Sequence, residues 1–219
     1  MAGPSVPAVL PPSLGAGLGF VAALAALVVV VLGVLYAGHS EPGRVDMRIQ
    51  SAVGDVRSPW REVALAIDFL GEPAGAAMLV VAALTGCLLL RRPRAAVFLV
   101  AGAGTTVATT TLLKPLVGRT IHGADNLSYP SGHTAFFTAL ALVAALLATG
   151  RLGLGRTART LTVLTAALVA GVAMGWAQVA LGAHYPTDVI GGWCTALAVI
   201  PATAWPADRI AGDGRWRRR

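Results

Sequence analysis

Apolar positions along this chain fall into long uninterrupted runs rather than into stripes of helical or strand period. Crossing the hydrocarbon of a bilayer as a helix takes about 17–25 mostly apolar residues. Runs of that kind extend from about Leu14 to Tyr36, Ala74 to Leu90, Ala95 to Leu113, Thr134 to Ala148, Leu161 to Leu181 and Val189 to Trp205. Several are at the short limit and the last carries Pro201, so the pattern predicts six membrane-spanning helices, with five as the fallback. The segment from Ala37 to Gly71 is the long connection, and it mixes charges with Val45, Met47, Ile49, Trp60, Leu65 and Ile67. That mixture predicts short helices lying on the membrane surface. The expected fold class is all-α: a polytopic membrane helix bundle, one domain over residues 1–219 without internal repeat.

Composition supports that reading. Of 219 residues, 56% are hydrophobic and only 12% charged, about half the charged share of a soluble domain. Mean hydropathy is +0.72. The apolar mass is Ala, Val, Leu and Gly, small enough for close contact between helices in lipid. Cys87 and Cys194 sit inside apolar runs, with neither metal-ligand nor disulfide-framework spacing. No Lys or Arg precedes Arg44, so the first run lacks the basic flank of a secretory signal and is expected to be a retained span.

The net charge of +7 would suggest nucleic acid in a soluble protein. Here its distribution reads as topology instead. With six spans, Arg91, Arg92, Arg94, Arg151, Arg156, Arg159, Arg209, Arg215 and Arg217–Arg219 share one side with Asp208 and Asp213, giving 11 − 2 = +9. The opposite side holds Arg44, Arg48, Arg57, Arg61, Lys114 and Arg119 against eight carboxylates, giving 6 − 8 = −2. The positive-inside rule makes the first side cytoplasmic, with both termini, in the inner membrane.

Polar residues near spans are costly and usually functional. They concentrate on the predicted outer side in Lys114–His122, Tyr129-Pro130-Ser131-Gly132-His133 and His184-Tyr185-Pro186-Thr187-Asp188. Two antiparallel spans of similar length join His133 to His184, so the two histidines return to one level. A phosphoryl group in transfer needs cations and N–H donors around its oxygens, a nucleophile in line, and an acid for the leaving oxygen. Lys114 is the chain's one lysine beside 16 arginines. It and Arg119 would supply charge, the latter as a two-pronged grip. Ser131 and Gly132 would open a helix whose free N–H groups favour an anion. Either histidine could be nucleophile or proton donor. A carboxylate orienting one ring would make it the better nucleophile, and Asp188 follows His184 by four residues. His39 stands apart, and His122 has no assigned task. No set of Cys, His and carboxylates has the spacing of a metal site, so neither metal nor cofactor is expected.

These residues resemble the type-2 phosphatidic acid phosphatase superfamily, in its membrane lipid phosphatase branch. Its motifs are Lys-x6-Arg-Pro, Pro-Ser-Gly-His and Ser-Arg-x5-His-x3-Asp. By motif the resemblance covers about Lys114 to Asp188. It implies that His184 is the nucleophile forming a phosphohistidine and that His133 is the acid–base group. It further implies that Lys114, Arg119, Ser131 and Gly132 hold phosphate and that no metal takes part. Two family arginines are replaced: the first Arg-Pro falls on Ile121-His122, and the Ser-Arg falls on Ala177-Gln178. The expected activity is hydrolysis of a lipid phosphate or diphosphate at the outer membrane face, with the bilayer rather than nucleic acid as partner. A lipid phosphotransferase and a non-catalytic lipid-binding protein are the alternatives. The soluble haloperoxidases that share this pocket are disfavoured by six spans.

Overall fold

The computed structural model describes residues 12–54, 56–152 and 154–212, with side chains described over 17–204 apart from 55 and 153. Of the charges in the topology count, Asp55, Asp213, Arg215 and Arg217–Arg219 lie outside the described residues. The described residues form eight helices: α1 (Pro12–Leu35), α2 (Arg44–Val53), α3 (Trp60–Phe69), α4 (Pro73–Leu89), α5 (Pro93–Val117), α6 (Gly132–Thr149), α7 (Arg156–Ala180) and α8 (Pro186–Gly212). There is no strand among the described residues, only the isolated bridge Thr120–Leu127. The predicted all-α bundle is what the chain forms.

Five helices are long and apolar enough to cross a membrane alone: α1, α5, α6, α7 and α8. The predicted run from Ala74 to Leu90 became α4, which reaches that length only together with α3, across a bend of 62°. The bend is built by glycine. Gly75 rests on the carbonyl of Phe69, where a Cβ would overlap the oxygen. A chain turning this sharply needs a residue without a side chain at the point of contact. Helix α8 runs through Pro201 to Gly212, beyond the predicted end.

Helix α8 occupies the middle of the bundle, packed against α1, α5, α6 and α7. Its Ala196, Leu197 and Ile200 meet Phe98 and Leu99 of α5, Leu142, Val143 and Leu146 of α6, and Val163 and Ala167 of α7. Small residues allow the approach: Gly171 lies under the Trp193 ring and Gly175 under Val189. Large apolar side chains remain on the outside, among them Phe20, Leu116 and Val172. An all-round apolar bundle of this kind is at rest in lipid, not in water.

The long connection forms two short helices, as its mixed pattern predicted. Both fold back over the bundle: α2 packs on α7 and α8, and α3 packs on α7. That docking carries Asp46 into the interior and brings Asp68 to the end of α6.

Candidate active site

Helix α6 begins at the Pro-Ser-Gly-His turn. Ser131 is its N-cap, with its hydroxyl accepting from the Thr134 N–H at 3.4 Å and paired with the Thr134 hydroxyl at 3.1 Å. Its own N–H donates to the Asp188 carbonyl at 3.0 Å, and Gly192 of α8 leaves room for the Ser131 carbonyl. Ser131 is fully buried, and its side chain and N–H fix the turn to α6 and α8. The leading N–H groups of a helix have no partner within it, and at Gly132 the nearest atom a Cβ would meet is Thr110 Oγ1, at 3.9 Å. The end of α6 is open to an approaching anion.

The connection from α7 to α8 carries His184. Gly182 turns it with φ of 70°, and the His184 N–H donates to the Gln178 carbonyl at 3.3 Å. Pro186 starts α8, where a missing N–H costs nothing. Asp188 turns back, its Oδ2 accepting from the Tyr185 N–H at 3.1 Å. His184 Nδ1 faces that same oxygen at 3.7 Å, close but beyond hydrogen-bond length, and Nδ1 has no other partner. Burial pushes the His184 imidazole below the ordinary histidine range. Asp188 works against that shift, and the nearby Lys114 and His133 add to it. The three predicted groups Lys114, His133 and His184 are thus brought together, although they come from α5, α6 and the α7–α8 connection.

Arg119 sits in a buried network. Helix α5 ends at Gly118, with φ of 64° and its N–H on the Lys114 carbonyl at 2.9 Å. The next residue turns inward and is fully buried. One guanidinium nitrogen donates to Asp188 Oδ1 at 2.7 Å and to the Thr187 hydroxyl at 2.6 Å. The other donates to Asp46 Oδ2 at 2.7 Å. Tyr36 and Tyr185 lie against it, with ring centroids 4.0 and 4.5 Å from Cζ. Asp46 in turn accepts the Thr187 N–H at 2.8 Å. The fork binds two carboxylates and is flanked by two rings, while Nε is buried without a partner. Arg119 ties α2, the end of α5 and the start of α8 into one unit, and it fixes Asp188 beside His184.

Lys114 donates to the Leu127 carbonyl at 2.7 Å and stays partly exposed at the end of α5. Of the two positions where the family has arginine, Ile121 is buried. Gln178 is buried too and donates its amide to Asp68. His122 donates to the Gly182 carbonyl at 2.7 Å, pinning the loop before α6 to the loop that carries His184. His39 remains outside the site on the surface.

The acidic groups at the site were not foreseen. His133 Nε2 points to Glu72 Oε1 at 3.5 Å and Asp68 Oδ1 at 3.8 Å. The three ligand-bearing atoms lie within 4.8 Å of one another, a grouping that no sequence spacing revealed. Asp68 and Glu72 sit in the α3–α4 corner, and Gly71 between them rests directly on the His133 ring. A Cβ there would overlap the imidazole near its root, which cannot move aside cheaply. Gly71→Ala is therefore expected to displace His133 and lower kcat by about 10²-fold, the lower bound of what a positioned general acid contributes. Measured kcat with unchanged thermal unfolding in detergent checks this.

Comparison with known proteins gives the family and the fold. A search of curated proteins returned no match. A solved structure titled as the first transmembrane PAP2 type phosphatidylglycerolphosphate phosphatase, from Bacillus subtilis, superposes with a TM-score of 0.68 at 22% identity, covering 91% of this chain and 100% of that one. At that identity the likeness establishes a shared fold. The family model described as PAP2 superfamily matches residues 74–210, which span both histidines, Lys114, Arg119 and Asp188 and leave Asp46, Asp68 and Glu72 outside. This chain is a multi-pass membrane member of the PAP2 superfamily.

Proposed function

We propose that the chain is a lipid phosphate phosphatase working through a phosphohistidine on His184. The observation that carries this is the meeting of two imidazoles at one end of the bundle. His184 is buried beside Asp188, and His133 stands at the open N-terminus of α6 with Lys114 close by. His184 turns Nδ1 to Asp188, so Nε2 attacks phosphorus. The bond from phosphorus to the leaving alcohol breaks, its electron pair goes to that oxygen, and His133 supplies the proton. Water then attacks the phosphorus, giving a proton to His133, and the electron pair of the P–N bond returns to His184. The N–H groups of the α6 turn and Lys114 stabilise the equatorial oxygens. The 3.7 Å gap between His184 and Asp188 closes by a small ring rotation as substrate engages; catalytic hydrogen bonds are commonly long in the empty site.

A lipid substrate suits the surroundings. An apolar groove of about 390 Å³ lies between α2, α7 and α8, lined by Ile49, Val53, Trp176, Val189, Ile190 and Trp193. It adjoins Pro186, two residues from His184. The phosphatidylglycerolphosphate phosphatase of the shared fold makes lipid phosphomonoesters the first substrates to try. Release of inorganic phosphate from a panel of lipid phosphates, with and without chelator, tests the reading. Release that survives chelator supports it. Transfer of phosphate to an added alcohol without free phosphate would favour a phosphotransferase, and no turnover of any lipid would favour a binding protein.

The pH dependence follows from burial. The nucleophile must be neutral, and a lowered pKa keeps it neutral into more acidic solution. The acid limb of kcat/KM is expected to fall below pH ~6.5, the ordinary histidine value. A limb at or above that value would contradict the burial argument.

The charge count supports a site on the extracytoplasmic face. Reporter fusions after Arg94 and after Gly123 are expected to give opposite signals, the first cytoplasmic. The same signal from both would remove the six-span topology.

A further inference from the structure

Asp68 and Glu72 have no place in the phosphoryl transfer just described, yet they flank the atom that must protonate the leaving oxygen. The carboxylates surrounding the two histidines are Asp46, Asp68, Glu72 and Asp188, and the cations are Lys114 and Arg119, a sum of 2 − 4 = −2. Arg119 is neutralised by Asp46 and Asp188. That leaves Lys114 facing the phosphoryl position and two carboxylates facing the position of the leaving group. The neutral Gln178 beside them donates to Asp68 and adds no charge.

We propose that Asp68 and Glu72 read the leaving group: they accept a lipid alcohol bearing a hydroxyl next to the scissile oxygen and reject one bearing a second phosphoryl group. This rests on the phosphatase reading of His133 and His184. The transferred phosphoryl group lies against the α6 N–H groups and Lys114. His133 Nε2, which protonates the leaving oxygen in that reading, is buried against Glu72 at 3.5 Å and Asp68 at 3.8 Å, so these carboxylates are the groups a departing alcohol meets as it reaches the ring. Ionised carboxylates only accept hydrogen bonds, so a neighbouring hydroxyl is held and gains a charge-assisted bond. A phosphate in the same place brings like charge to within a few ångströms of both. Glu72 is half exposed, its side chain 52% accessible, so water screens part of the repulsion. Asp68, at 21%, is screened less. The class of substrate is a lipid phosphomonoester with a polyol leaving group. Lipid diphosphates are excluded.

The full-length chain in detergent is assayed with phosphatidylglycerol phosphate, phosphatidate and a polyprenyl diphosphate. Only the first offers a leaving alcohol with a free hydroxyl beside the bond, and only the last offers an anion there. The wild type is expected to follow that order in kcat/KM, with the diphosphate last. In Asp68→Asn/Glu72→Gln the ratio of the first substrate to the last is expected to fall by at least about tenfold, as one screened unit charge requires. The single variants Asp68→Asn and Glu72→Gln are measured alongside, each checked by thermal unfolding, and each is expected to move the ratio the same way. Ratios unchanged within about twofold in folded variants, or a wild type preferring the diphosphate, would overturn the proposal. So would diphosphate turnover that appears only with added Mg²⁺ or Mn²⁺, since Asp68, Glu72 and His133 would then be holding a cation. If the wild type hydrolyses none of the three lipids, the phosphatase reading fails with it. If it hydrolyses them and the ratios do not move, that reading stands and the selection does not.

Discussion

His184→Ala should lose lipid phosphate hydrolysis by at least about 10⁴-fold, because it removes the atom that forms the covalent intermediate. The site has no second candidate positioned to replace it. His133 faces Asp68 and Glu72 rather than Asp188, and Cys194 is buried in the core of α8. The substitution also removes a side chain that makes no hydrogen bond of its own at Nδ1, so the fold is expected to survive it. Lost turnover with unchanged thermal unfolding is the expected pair of results. His133→Ala is expected to be milder, in the range of about 10²–10⁴-fold that general acids contribute. The milder loss should also depend on the leaving group, shrinking for a lipid ester whose alcohol is a good leaving group. Wild-type rates in His184→Ala would remove the assignment outright.

Arg119→Ala should be the most destabilising single change in the chain. Asp46, Asp188 and Arg119 are all fully buried. Deleting the arginine leaves two carboxylates in a dry interior with hydroxyl and N–H partners but no cation. Breaking a buried pair on one side costs about 3–5 kcal/mol, and here two pairs share the one cation. Loss of the guanidinium also leaves Tyr36 and Tyr185 facing a cavity. The expected outcome is poor recovery from the membrane or a thermal transition lowered by more than 10 °C, about what that energy implies for a domain of this size. Arg119→Lys is not expected to restore stability, since one compact ammonium cannot reach both carboxylates as a planar fork does. If Arg119→Ala instead folds normally and loses only affinity for phosphate, the earlier expectation of a phosphate-gripping residue is the correct one.

Most of the bundle could be read from hydropathy because lipid imposes a length and a composition on every span. Helices α1, α5, α6 and α7 lie within a few residues of the predicted runs. The run from Ala74 to Leu90 is harder, because α4 completes a span only together with α3 across a bend, and hydropathy does not mark the glycine contact of Gly75 with Phe69 that allows it. The meeting of His133 with His184 was legible from two antiparallel spans of matched length. The partners of Arg119 were not. Asp46 lies in a connection whose pattern predicted surface helices, and nothing local marks one of its acids as buried. Asp68 and Glu72 likewise looked like solvated charges until α3 docked on α7. Pro-Ser-Gly-His marks a helix start in the sequence, and Ser131 is that helix's N-cap, its hydroxyl turned to a donor in its own helix. In each case a local signal gave the residue's type and the tertiary partner decided its task.

Transfer of phosphate from a lipid to His184 is the central claim, and trapping the intermediate tests it most directly. The purified chain is mixed with a lipid phosphate labelled on phosphorus, quenched within the first turnover and digested for mass spectrometry. The phosphohistidine account predicts a phosphoryl group on His184, lost in acid and retained in alkali, absent from His184→Ala, and increased in His133→Ala when the lipid ester carries a good leaving group. Free phosphate released at the normal rate with no label on any residue of the chain would contradict it.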